Sequence, residues 1–380
     1  MKRVHSFGLV MALIAWACSY AAAQQYAVVD LGKVATSSTA HALNNAGQIA
    51  GAIGGAHGDN ITAFFWHGNN AKKIGRPQHS DYSEAFGLNN SGEVVGSANL
   101  VVGMRGFFWT NGNAINELAP LAGDSSSAAY AVNDSGVVVG FSSGPKGMAA
   151  VRWQGGTPQA IVPPSLSTTS QATAINAIGS VAGFYGEAES KRGFLMDSTG
   201  LQTLAPLAGD QSSQALAIND GDAVAGISVA ANGLTHAVVW IQGSATNLGL
   251  LPGGDHSQSY GINHAGQVVG SSGSIDGLHG FIWTAAGGMQ DLNSLVPAGS
   301  NLLISAAVAI NDAGQILAIG SNMPMPNPDR NIGLDRENHS GITRVFLLTP
   351  QTQTLTAQSR TRKSCTASRC TPVLSAYAFH

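Results

Sequence analysis

Apolar positions in this chain come as short paired runs around a tight turn. In the stretch Ser259-Tyr260-Gly261-Ile262-Asn263-His264-Ala265-Gly266-Gln267-Val268-Val269-Gly270, one apolar run ends at Ile262 and a second begins at Val268. Two short runs flanking a turn predict a β-hairpin. The turn core, Asn-x-x-Gly, suits a type I turn whose fourth residue takes a positive φ, which Gly adopts without a Cβ clash. The same unit recurs with its Asn at Asn44, Asn89, Asn133, Asn176, Asn219, Asn263 and Asn311, so the period is about 44 residues. The fifth copy departs at the glycine, with Gly221-Asp222 where the others have x-Gly.

Each repeat offers four candidate strands. In the second they are Ala85–Asn89, Glu93–Ser97, Gly106–Thr110 and Ile115–Leu118, joined by tight turns, with little helix-period signal. The third strand carries one large residue at a constant depth: Trp66, Trp109, Trp153, Trp240 and Trp283, with Met196 in repeat four and Leu348 in repeat seven. One large residue per sheet at one level is what sheet-on-sheet packing around a ring requires. Core packing therefore explains these tryptophans better than an aromatic ligand box. Seven four-stranded units of this length predict an all-β fold, a single seven-bladed β-propeller. Tyr26–Gly32 resembles the fourth strand Gln290–Leu295, so an N-terminal outer strand would complete the last blade. Thr352–Thr356 competes for the same place. An open solenoid, the alternative, would need polar caps that are not evident at either end.

With A-x-I-N-x-x-G-x-V-V-G established, two further elements recur between the hairpins. His236-Ala237-Val238-Val239-Trp240 and His279-Gly280-Phe281-Ile282-Trp283 carry versions of H-A-F-x-W, and Asn247-Leu248-Gly249 and Asp291-Leu292-Asn293 carry versions of D-L-G. Alternation of these elements resembles the HAF family of extracellular repeats, over about residues 26–350. Repeat four departs with Met196 for Trp, and repeat three places Arg152 inside its third strand. The resemblance implies an exported repeat protein and brings no catalytic residues or ligand with it.

Composition points the same way. Charged residues are 10% of the chain and glycines number 48, against roughly 25% charged in an average soluble domain. The N-terminus reads as a signal peptide over residues 1–23: basic Lys2-Arg3, a mostly apolar Gly8–Ala17, and small Ala21-Ala22-Ala23 ahead of Gln24. The apolar run is short for a membrane span, and Ala15-Trp16-Ala17 before Cys18 lacks the Leu usual in lipoprotein signals. Residues 24–350 form the repeat body, and 351–380 a basic tail holding Arg360, Arg362, Lys363 and Arg369. The body alone carries a formal charge of −9, which argues against nucleic-acid binding. Cys365 and Cys370 lie in the tail and could close a small disulfide loop in an oxidising compartment.

Several motifs imitate catalytic ones. Gly123-Asp124-Ser125-Ser126 recurs as Gly209-Asp210-Gln211-Ser212 and Gly254-Asp255-His256-Ser257. Recurrence at one repeat position favours a turn over a unique nucleophile. Gly140-Phe141-Ser142-Ser143-Gly144 matches G-x-S-x-G, but Pro145 follows it and no helix is predicted. The histidines are scattered without metal-ligand spacing, and His236 and His279 stand where other repeats have Arg105, Arg192 and Arg344, as residues flanking a strand at the surface. Asp134, Asp220 and Asp312 in the Asn-led turns offer too few oxygens for calcium. No cofactor or metal is expected.

Repeat seven alone breaks the period. An insertion of about 17 residues, spanning roughly Asn322 to Gly341, falls between its second and third strands and concentrates Asp329, Arg330, Asp335, Arg336, Glu337 and His339. Loops on rigid scaffolds often carry function, so these six residues are the candidate ligand-binding loop, against a solvated loop stiffened by proline. The reading that follows is an exported, non-catalytic binding or scaffolding propeller with a protein or glycan ligand. A glycan-active hydrolase or lyase would need several carboxylates converging on the central channel. A purely structural envelope protein is the third possibility.

Overall fold

In the computed structural model, residues 25–31, 38–54, 60–68, 70–77, 80–112, 114–187, 190–322 and 344–351 are described. Residues 1–23, read above as a signal peptide, the Asp329–His339 loop and the Cys365/Cys370 tail lie outside them. The described chain forms seven four-stranded antiparallel sheets. The strand that ends at the turn Asn in each sheet touches its counterpart in the next, and that of the seventh, Leu302–Ile310, touches that of the first. The sheets are therefore blades of a closed seven-bladed β-propeller, with the strand leading into the Asn turn innermost in each, and the open solenoid is excluded.

The hairpin turns form as their sequence dictates. Each Asn side chain accepts the backbone N–H of the residue four ahead. Asn44, Asn89, Asn133 and Asn219 also accept that of the residue two ahead, as Asn133 does from Ser135 at 3.1 Å and Val137 at 3.0 Å. The fourth turn residue has φ between 72° and 91° at Gly47, Gly92, Gly136, Gly179, Gly266 and Gly314. In the fifth copy Asp222 takes this conformation itself, at φ 57°, and its carboxylate accepts a hydrogen bond from Asn176 Nδ2 at 2.8 Å.

Blade seven is assembled from both ends of the described chain. Its order from the outside is Tyr26–Asp30, Arg344–Pro350, Ile316–Asn322, Leu302–Ile310. Tyr26–Asp30 fills the outer place for which Thr352–Thr356 also competed, and the latter lies outside the described residues. Tyr26 is 1% exposed, its N–H donates to Leu295 O at 2.9 Å, and burial pushes its phenol up to about 12. Asp30 pairs with Arg344 at 3.1 Å.

The apolar core sits between blades, not within them. Ala50, Ala63 and Phe65 of blade one pack with Val94, Phe107 and Trp109 of blade two, and the same arrangement repeats around the ring. Trp66, Trp109, Trp153, Trp240 and Leu348 are buried, whereas Met196 and Trp283 are half-buried. Trp153 and Trp240 also donate Nε1–H to Ala119 O and Ala205 O, each at 2.7 Å, in the preceding blade. Buried serines fasten neighbours: Ser127 Oγ accepts from Gly106 N–H at 3.0 Å and donates to Leu118 O at 2.7 Å, and Ser213 does the same with Gly193 and Leu204.

In six blades the glycine seven residues after the turn Asn has a reason absent from the turn argument. Gly51, Gly96, Gly140, Gly183, Gly226 and Gly270 each lie so close to the inner strand that an added Cβ would meet a backbone carbonyl oxygen at 1.9–2.1 Å. Blade seven has Ala318 at this position, and its equally close Gly320 stands two residues further on. The inner strand bulges beside each of them, as between Ala129 and Ala131 opposite Gly140. Gly140→Ala should therefore destabilise the protein by about 2–3 kcal/mol in urea unfolding of the intact chain. A change below about 0.5 kcal/mol would show that the contact is not tight.

Candidate functional site

The inner strands run between two channel mouths with different chemistry. At the turn face, each turn Asn donates Nδ2–H to the backbone carbonyl of the Asn in the next blade, at 2.9–3.1 Å. Asn311 donates to Asn44 O at 3.0 Å and completes the circle. The seven asparagines are 3–8% exposed. Outside this ring, residues one further along form partial links. Asn90 N–H and Nδ2–H donate to Asp134 at 2.8 and 2.9 Å, Ala177 N–H donates to Asp220 at 2.9 Å, and Asp312 accepts from His264 N–H and Asn45 Nδ2–H at 2.8 and 2.7 Å. The turn carboxylates thus latch neighbouring turns, in keeping with their reading as turn residues. The mouth they surround, about 240 Å³, is lined by the asparagines, their following residues and an aliphatic ring that includes Leu43, Leu88 and Ile262.

Toward the other face the repeat stops being uniform. In every inner strand the ladder skips the residue three before the Asn: His41, Phe86, Tyr130, Thr173, Leu216, Tyr260 and Val308. A bulged residue leaves the pairing, and its side chain is re-aimed. All seven are half-buried on the innermost strands, so they form the wall of the channel. Three consecutive blades carry aromatic rings there. His41 and Phe86 lie 5.3 Å apart between centroids, Phe86 and Tyr130 5.3 Å, and Tyr130 continues to Phe141 at 6.0 Å.

Beside this arc sits Glu84, five residues before Asn89 and thus roughly 15 Å from the turn face at the usual strand rise. Its carboxylate faces His41 Nε2 at 2.7 Å and accepts from Thr39 Oγ1 at 3.1 Å and Tyr82 OH at 2.5 Å. Burial works to raise its pKa, but the hydrogen bonds from His41, Tyr82 and Thr39 outweigh it, and the carboxyl ends below its ordinary range. The Tyr82 phenol is pushed up by burial and by its bond to Glu84, and Tyr130 by burial and the Glu84 charge. At Glu84's repeat position blades four to six have Gln171, Gln214 and Gln258, and Tyr260 OH donates to Gln258 at 2.8 Å. The channel at this end thus offers aromatic faces on one side and amides with one ionised carboxylate around them.

The catalytic look-alikes resolve into fastenings. Ser142 is 0% exposed; its hydroxyl donates to Asp124 at 2.6 Å and accepts from Leu121 N–H at 2.9 Å. Ser228 bonds Asp210 and Leu207 in the same way. His236 lies 2.9 Å from Asp210 and His279 2.7 Å from Asp291. His279 is 8% exposed, so it is a buried hydrogen-bond partner of Asp291 instead of the surface residue its position implied. Among the described residues no group of three or more His, Cys, Asp and Glu could hold a metal ion.

The Asp329–His339 loop departs from Asn322 and returns at Arg344. Gly320 pairs with Arg344 while Ile316, beside the turn, pairs with Leu348, so both anchors stand on the face opposite the asparagine ring. The His41–Glu84–Tyr82 group was missed from sequence. Its signal was one acid, Glu84, at a repeat position otherwise occupied by Thr, Ala or Gln, and it meant little before the bulge was known.

No protein-family model matches this chain, and no curated protein matches it. Solved structures do. The β-propeller domain of the Trilobed protease from Pyrococcus furiosus has 8% identity over 82% of this chain and 93% of that one, with a TM-score of 0.51. TolB from Acinetobacter baumannii has 10% identity over 63% of this chain at a TM-score of 0.46, and a puromycin-hydrolyzing peptidase from Mycobacterium tuberculosis 13% over 75% at 0.49. This chain spans 61% of the length of TolB and 50% of that of the peptidase. At such identities the likeness extends to the propeller fold alone.

Two measurements probe the two mouths. Asn133→Ala should cost at least about 2 kcal/mol in denaturant unfolding, because it strands the Asn176 carbonyl and two turn N–H groups, while Asn90→Ala on the exposed rim should cost under about 1 kcal/mol. Glu84, with its folded pKa depressed, contributes stability that is present above its unfolded value of about 4.3 and is lost as pH falls through the folded value. Melting of the Glu84→Gln variant should therefore show a shallower fall below about pH 4 than melting of the native protein; identical acid limbs would contradict the assignment.

Proposed function

We propose that this chain is an exported propeller that binds a glycan through the channel mouth opposite the asparagine ring. The observation that carries the reading is the half-buried aromatic arc of His41, Phe86 and Tyr130 beside the ionised Glu84. Flat apolar faces next to fixed hydrogen-bonding groups suit a sugar ring, whose C–H face packs on aromatics while its hydroxyls meet carboxylate and amides. Export is supported by Lys2-Arg3, the apolar Gly8–Ala17 and the small Ala21–Ala23. Among the described residues no helix is long and apolar enough to cross a membrane. On this reading residues 1–23 are removed, 24–350 are the propeller, and 351–380 form a tail in which Cys365 and Cys370 pair. The recurring hairpin, H-A-F and D-L-G elements support membership of the HAF-repeat family.

Binding is favoured over glycan cleavage by the carboxylate supply. Glycoside hydrolysis uses a pair of carboxylates flanking the scissile bond. The inner strands carry Glu84 and Asp210, and Asp210 is held by Ser228 at 2.6 Å and His236 at 2.9 Å. Asp329, Arg330, Asp335, Arg336, Glu337 and His339 are proposed to extend the same mouth, since their loop is anchored on that face.

A glycan array with residues 24–380 tests the reading. Phe86→Ala and Tyr130→Ala should each weaken the strongest signals about tenfold or more, and deletion of residues 322–341 should weaken them if the loop takes part. Binding unchanged in both aromatic variants would place the ligand elsewhere. Capture of a protein partner with no glycan signal would replace the glycan with a protein at this mouth.

A further inference from the structure

Two sequence departures that lie a repeat apart meet at one blade interface. In six blades the residue just before the large third-strand position is apolar: Phe65, Phe108, Leu195, Val239, Ile282 and Leu347. These residues pack in the cores between their own blade and the next. Blade three has Arg152 there instead, and blade four, which it faces, has Met196 where five blades have Trp. Between them opens a cavity of about 610 Å³ on the turn face of the ring, lined by Arg152, Gln159, Ile161, Ile178, Val181 and Met196 among others.

Arg152 is incompletely satisfied in this cavity. Its Nη2 donates to Gln154 at 3.3 Å, and its buried Nε has no hydrogen-bond partner. A buried donor left unpaired is costly and calls for an explanation. The guanidinium edge formed by Nε and an Nη nitrogen matches the two oxygens of a carboxylate. Around it, Ile161, Val181 and Met196 are half-buried or buried, and Ile178 is 70% exposed. We infer that the blade three–four cleft is a binding site for a small organic monocarboxylate with an apolar body, held by Arg152 and packed on Ile161, Ile178, Val181 and Met196.

Two further carboxylates define what the cleft rejects. Asp197 and Asp222 line the same cavity, with Asp197 accepting from Thr199 at 2.7 Å and Asp222 from Asn176 at 2.8 Å. Their charges disfavour a second negative charge on the ligand, so phosphate and dicarboxylates bind less well than monocarboxylates. The site is separate from the aromatic mouth, which lies on the other face.

Calorimetric titration of residues 24–380 with phenylacetate and hexanoate tests this, with phenylacetamide, succinate and inorganic phosphate as comparisons, at up to about 10 mM, the range in which ligands of this size bind. The two monocarboxylates should bind saturably and the comparison compounds at least tenfold more weakly. Arg152→Leu, which restores the apolar residue of the other blades, should abolish binding, and Arg152→Lys should keep part of it. Met196→Trp fills the cleft with the residue five blades already carry; it should fold and also lose binding. No monocarboxylate binding by the native protein, or equal binding by Arg152→Leu and Met196→Trp, would overturn the proposal and leave Arg152 as a packing irregularity.

Discussion

Closure of the ring rests on seven side-chain amides. Each turn Asn uses its carbonyl oxygen to hold its own hairpin turn and its Nδ2 to hold the next blade, so one residue type satisfies local and long-range demands together. A buried amide in a site of low dielectric is costly unless every bond is made. The circle is complete only when the seventh Asn reaches the first, 267 residues away. That requirement couples all blades to one geometry, and the N-terminal strand in blade seven secures the same junction from the outside.

This constraint divides the molecule into a face that must repeat and a face that is free to differ. At the turn face, replacing the turn Asn of any blade disturbs its neighbour, and that residue is Asn in all seven blades. At the opposite end the bulged inner strands release one residue per blade into the channel, and there the repeat yields His, Phe, Tyr, Thr, Leu, Tyr and Val in turn. Asymmetry in a symmetric scaffold is where a specific ligand can be recognised, because identical positions offer identical chemistry seven times over. The aromatic arc with Glu84 is a departure of this kind, whereas the cleft at Arg152 is a departure on the turn face, confined to one blade interface.

The apparent catalytic motifs show the converse. Ser142 within G-x-S-x-G bonds Asp124, and Ser228 bonds Asp210 in the same way, so each pair ties the entry of an inner strand to its partner, while Asp255 of the third Gly-Asp turn bonds His256 instead. Recurrence at one repeat position was sufficient to read them as structural, and their hydrogen bonds agree with that reading.

The sequence alone determined the repeat, the strand count, the hairpin turns and the shared level of the tryptophans, because these follow from local periodicity and from the φ requirement of one residue per turn. It also marked Arg152 and Met196 as departures. It did not reveal that they face each other, since they belong to different repeats and meet only when blade three packs on blade four. Nor did it reveal the bulge, whose extra residue is indistinguishable in sequence from an ordinary strand residue until its partner strand is in place. The choice of Tyr26–Asp30 as the closing strand, the amide circle and the His41–Glu84–Tyr82 contacts were decided by tertiary structure alone. Each joins residues of different repeats, or the two ends of the described chain, whose proximity exists only in the closed ring.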